Sequence, residues 1–99
     1  MANDSFWVYI LNCDNGAFYT GYTTDLIRRY QEHVTGSDKC KYTRSFKPLG
    51  VAQVWYIQKD KSAALKLEKF IKKLSHQVKV EIIEQPHLLI YLYNSISYD

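Results

Sequence analysis

The hairpin signal near the N-terminus limits the fold more than any other feature. Two runs of β-forming residues, 6–12 and 18–22, flank Cys13-Asp14-Asn15-Gly16-Ala17. Asn and Gly tolerate the positive φ that tight turns impose, so the two runs read as a hairpin. Loop length then decides which side chains share a face. A two-residue Asn15-Gly16 loop pairs residue 12 with 19 and puts Tyr9 and Tyr19 on opposite faces. A three-residue loop, Asp14-Asn15-Gly16 with Gly16 left-handed, pairs 11 with 19. Both tyrosines then stand on one face with Trp7, Leu11 and Gly21. The three-residue loop is the expectation. The first run is apolar on both alternating sets, which suits a strand covered on both sides.

Beyond the hairpin, Thr23 or Thr24 is placed to cap a helix, with Asp25 in its first turn. The helix is expected to run to about Val34, with Leu26, Ile27, Tyr30 and Val34 as its core stripe. Arg29 and His33, four apart, share a face, and Thr35-Gly36-Ser37 ends the helix. Residues 38–48 show neither helical nor strand period. Residues 50–58 read as a third strand. Asp60 caps a second helix over about 61–75, whose buried face is Ala63, Ala64, Leu67, Phe70, Ile71 and Leu74 and whose wet face is Lys66, Lys69 and Lys73. Residues 78–84 read as a short strand or extended segment. The apolar tail, 85–99, reads as a helix that opens at Pro86 and either caps the core or docks a protein partner or a second copy. The expected class is α+β: a small three-stranded antiparallel or mixed sheet, built as hairpin, helix, strand, helix and flanked by helices, in one domain over 1–99.

A chain of 99 residues, 46% of them hydrophobic, can bury one modest core without metal or disulfide staples. Cys13 and Cys40 are too few and too far apart for a disulfide framework or zinc knuckle, and read as free thiols in a reducing compartment. The first five residues have neither a basic start nor an apolar run, and no stretch approaches the ~20 apolar residues of a membrane span. A cytoplasmic protein with no membrane partner is expected. The net charge of +3 is compatible with a polyanionic partner without requiring one.

Taken singly, the chemistry-bearing residues are unremarkable. A strand tyrosine is ordinarily core with its hydroxyl bonded, an arginine on such a helix is ordinarily a surface charge, and a histidine near a helix end is ordinarily satisfied locally. Glu68 falls at the border of the second helix's apolar face, beside Ala64 and Ile71. It suits either an i,i+4 ion pair with Lys72 or a lone carboxylate for a hard cation such as Mg²⁺. Lys39, Lys41, Tyr42 and Arg44, with Phe46 and Lys47, form a basic-aromatic loop suited to phosphates and exposed bases, or to plain solvation.

The order and spacing of these residues are more specific than any one of them. Trp7-Val8-Tyr9, Tyr19-Thr20-Gly21, the run from Thr24 to His33, Tyr42-Thr43-Arg44 and the helix bearing Glu68 together resemble the GIY-YIG nuclease superfamily, above all its small stand-alone members. The resemblance covers about 6–84. It implies metal-dependent cleavage of DNA phosphodiesters in repair or recombination, with branched or single-stranded DNA as candidate substrates and Mg²⁺ (or Mn²⁺) as cofactor. It further implies Tyr9 as general base or water-positioning phenol, Tyr19 as its support, Arg29 as charge stabiliser, His33 as proton relay and Glu68 as metal ligand. As a base at neutral pH, Tyr9 is expected to have a depressed pKa. Tyr22 stands where many members have lysine, and no late asparagine matches. The alternative is a non-catalytic nucleic-acid-binding module of the same fold.

Overall fold

The computed structural model describes residues 5–36 and 40–97, with no side chain described at 44, 96 or 97. Lys39 and the side chain of Arg44 therefore lie outside the described residues. Strands β1 (Ser5–Cys13), β2 (Phe18–Thr23) and β3 (Pro48–Gln58) form one antiparallel sheet in the order β2-β1-β3. Helix α1 (Leu26–Thr35) and the short α2 (Lys41–Ser45) lie between β2 and β3 in sequence. Helices α3 (Lys61–Lys72), α4 (His76–Glu84) and α5 (Leu88–Ser97) follow β3.

The hairpin has the three-residue loop. Leu11 pairs with Tyr19 and Tyr9 with Gly21, and the Cys13 N–H donates to the Ala17 carbonyl at 3.0 Å. Gly16 takes φ 82°, a conformation that costs an L side chain ~1–2 kcal/mol. β1 is the central strand, and its two faces serve different purposes. Val8 and Ile10 join Ala64 and Leu67 of α3, with Ile71, Ile82 of α4 and Leu89 of α5, in the main core. The Trp55 indole N–H and the Gln53 amide donate to the carbonyls of Pro86 and Ile83, at 3.0 Å each, tying the C-terminal helices to β3. Tyr9 and Leu11, equally buried, point to the other face.

Several expectations need correction. Residues 78–84 are helical, because the Ser75 hydroxyl caps the Val78 N–H at 3.2 Å and places Ile82 in the core. Packing there overrides the β-propensity of Val78, Val80 and Ile82. Asp25, not Thr23 or Thr24, caps α1: its carboxylate accepts from the Arg28 N–H at 3.0 Å, while the Thr23 hydroxyl holds the Asp25 N–H. The core stripe of α1 is also misplaced, since Ile27 is 75% and Val34 49% exposed, whereas His33 is buried. Residues 41–45, read as aperiodic, form α2. The tail packs on the core through Leu88, Leu89, Leu92 and Tyr93, leaving Ile90 and Tyr91 outward. Both cysteines are free thiols, and no helix among the described residues is long and apolar enough to cross a membrane.

Candidate active site

On the face of β1 away from the main core, four side chains converge. Tyr9 reaches α1, where its hydroxyl meets His33 Nε2 at 2.9 Å. The Tyr19 ring lies 4.8 Å from the His33 ring in an edge-on arrangement and 6.3 Å from the Tyr9 ring. Arg29, one helical turn before His33, stands against the Tyr9 phenol as a hydrogen-bond donor. Its guanidinium also pairs with Glu32 at 2.9 Å. These contacts depend on the hairpin register, because Tyr9 lies across Gly21. A Cβ at Gly21 would sit 2.6 Å from the Tyr9 hydroxyl and 2.8 Å from its ring carbon. The glycine is needed for space, since the phenol above it is buried and held by hydrogen bonds.

The other His33 nitrogen, Nδ1, lies 2.9 Å from the Thr43 hydroxyl on α2, and that hydroxyl donates to the Cys40 carbonyl at 3.3 Å. Tyr42, on the same short helix, has its ring 5.9 Å from Tyr19 and 5.3 Å from the exposed Phe46. The predicted nucleic-acid loop thus abuts the tyrosine cluster through Tyr42, with Lys41 exposed beside it.

Burial sets the electrostatics. It drives the Tyr9 phenol well above the ordinary tyrosine range; Arg29 opposes this without reversing it, and Tyr19 adds to it. The expected depressed phenol is therefore not what the free protein has, and Tyr9 is protonated at neutral pH. Burial, with the Arg29 charge adding and Glu32 opposing, pushes His33 down to about 4. The imidazole is neutral at pH 7. For Arg29, burial disfavours the charge but is outweighed by Glu32 and Tyr9, so the guanidinium stays firmly charged.

Glu68 is paired within its own helix. Its helix packs along β1 and β2 from the main-core side, and its carboxylate, 12% exposed, pairs with Lys72 at 3.4 Å. Both sequence readings of Glu68 thus stand side by side: the i,i+4 ion pair is formed, and the carboxylate is largely enclosed. Thr43, Gly21 and Glu32 are site residues that no role was assigned from sequence. All three lie inside the motif blocks quoted for the resemblance, and Gly21 also stood out as a glycine inside a strand on the tyrosine face.

Comparison with known proteins places the chain among similar sequences and one similar fold. Residues 5–81 match the family model described as the GIY-YIG catalytic domain. A UPF0213 protein of Cupriavidus pinatubonensis is 44% identical over 85 residues, 82% of this chain and 91% of the relative. One from Haloquadratum walsbyi is 39% identical over 83 residues, 84% of this chain and 91% of the relative. Among solved structures, the chain is similar to the solution NMR structure of a UPF0213 protein from Bacillus halodurans. That match has 37% identity and a TM-score of 0.53, and covers 82% of this chain and 84% of the other.

Proposed function

The chain belongs to the GIY-YIG family, and from that premise we propose that it is a small Mg²⁺-dependent endonuclease that hydrolyses DNA phosphodiesters, with branched or single-stranded forms as its substrates in repair or recombination. The observation that carries this reading is the Tyr9–His33 hydrogen bond at 2.9 Å, flanked by Arg29 and Tyr19. It sets a phenol, a neutral imidazole and a fixed positive charge side by side.

Glu68 is the residue that would hold the cation. An enclosed carboxylate whose one described partner is the half-exposed Lys72 fits Mg²⁺ or Mn²⁺. Such hard ions keep most of their waters and take few protein carboxylates. Among the described residues no group of three acidic, histidine or cysteine ligands gathers for a fully protein-bound ion. When bound, the ion polarises the phosphate and stabilises the leaving oxygen.

The chain's own residues divide the remaining work. Arg29 presents a charge that does not titrate, held in place by Glu32, and is the group to meet charge building up on the phosphate. The Tyr19 hydroxyl has no hydrogen-bond partner among the described residues and is free to donate to a phosphate oxygen. Tyr9 passes its proton to His33 Nε2 as its oxygen takes one from the attacking water. The phenolate and imidazolium so approached offset each other, whereas either ion alone is opposed by burial.

A second reading, a nucleic-acid-binding module without useful catalysis, is favoured by two observations. Tyr9 is only 1% exposed, and Glu68 is paired with Lys72. One experiment separates the readings: incubation with a panel of DNA structures with and without Mg²⁺. The nuclease cleaves at least one, and Glu68→Ala or Arg29→Ala lowers the rate on the order of 10²-fold or more. Salt-sensitive binding without cleavage, retained or strengthened in Glu68→Ala, establishes the binding module instead.

A further inference from the structure

The hydrogen-bond chain through the site favours one direction. The Cys40 carbonyl can only accept, so the Thr43 hydroxyl spends its one proton there. Thr43 Oγ1, 2.9 Å from His33 Nδ1, is then left with lone pairs, and Nδ1 must carry the hydrogen. A neutral imidazole has one N–H, so Nε2 is the bare nitrogen and accepts from the Tyr9 hydroxyl at 2.9 Å. The Arg29 guanidinium, which can only donate, meets the Tyr9 oxygen from another side. In the reverse arrangement both Arg29 and Nε2–H would point at the Tyr9 oxygen. The Tyr9 proton would then have no acceptor among the described residues.

We propose that Thr43 is a positioning residue: by turning its hydroxyl to the Cys40 carbonyl it fixes His33 in the Nδ1–H tautomer and so aims the bare Nε2 at Tyr9. Thr43 touches neither Tyr9 nor a substrate position and acts through His33. The catalytic part of this inference rests on the nuclease reading, whereas the tautomer does not. The local fold is made for the task. Thr43 is 1% exposed, and its hydroxyl bonds back three residues along α2, a habit of Ser and Thr in helices. That helix has only five residues, too short to be stable by itself. Holding Thr43 under His33 is a polar contact that joins it to α1.

The test uses the full chain at neutral pH. Nitrogen-15 shifts of the His33 ring separate a bare nitrogen, far downfield, from a protonated one. Wild type and Thr43→Ser are expected to show Nδ1 protonated and Nε2 bare. Thr43→Val, which removes the acceptor, is expected to move the proton toward Nε2 or average the two shifts. In cleavage assays, Thr43→Val lowers kcat by about 10- to 100-fold with KM unchanged, as loss of an orienting partner does elsewhere, and Thr43→Ser restores it. A wild-type ring protonated on Nε2, or shifts that Thr43→Val leaves unmoved, overturns the proposal. The wild-type spectrum decides the tautomer whatever the stability of the variant. A wild-type Nδ1–H tautomer in a protein that cuts no DNA upholds the proton map and removes the nuclease reading alone.

Discussion

His33 has two ring nitrogens, and the fold gives each one partner: a phenol on β1 and a hydroxyl on α2. That arrangement has a consequence for stability. An unfolded histidine titrates near ~6.5, whereas burial holds the folded one at about 4. Between those values the unfolded chain binds the extra proton, so unfolding free energy rises with pH there. Stability is expected to be full above about pH 6.5 and to fall as pH drops toward 4, by at most about 3 kcal/mol. Urea denaturation across that range should show the slope in wild type and a flatter profile in His33→Gln. An unchanged slope in the variant would assign the effect to other groups. At this scale the sequence was partly informative. Tyr9, Tyr19, Arg29 and His33 were legible because hairpin register and helical spacing are fixed by local rules. The direction of the Tyr9 shift was not, because it depends on how completely the ring is enclosed, which no local rule gives.

Helix α1 shows why an element's orientation is harder to read than its existence. Leu26, Ile27, Tyr30 and Val34 recur at helical spacing, but so do Leu26, Arg29, Tyr30 and His33, roughly a sixth of a turn away. Periodicity alone ranks the greasier stripe first. In the structure the hydrogen bonds of His33 and the contact of Arg29 with Tyr9 turn the helix the other way, and Ile27 and Val34 face out. Ile27→Gln and Val34→Gln are therefore expected to change unfolding free energy by no more than about 0.5 kcal/mol each. As core residues they would cost several times as much. Thermal melts of the two variants distinguish these orientations directly. Helix α4 was misread for a related reason: three β-branched residues suggested a strand, while the Ser75 cap and the burial of Ile82 were the stronger influences. Helix α3 was legible because its Asp60 cap and apolar face agree, with the cap bond to the Ala63 N–H at 2.9 Å.

Across the molecule, one strand does double duty. The alternate residues of β1 feed a core built with α3, α4 and α5 on one side and a polar cluster built with α1 and α2 on the other. The class, strand count and antiparallel hairpin were legible from periodicity and turn chemistry. The face of the sheet that α3 covers was not, because it depends on how whole elements pack and not on local spacing. The central place of β1 also means that the two ends of the hydrogen-bond chain loosen separately. Tyr9 lies on a strand bonded on both sides, so its amide exchanges with solvent only when the whole molecule opens. Thr43 lies on a five-residue helix that can open alone. Native-state hydrogen exchange should show α2 opening at a much lower free energy than β1, and equal values for both would contradict this. On warming, the imidazole then loses its lower anchor while the sheet is still intact, and the site comes apart before the protein stops being folded.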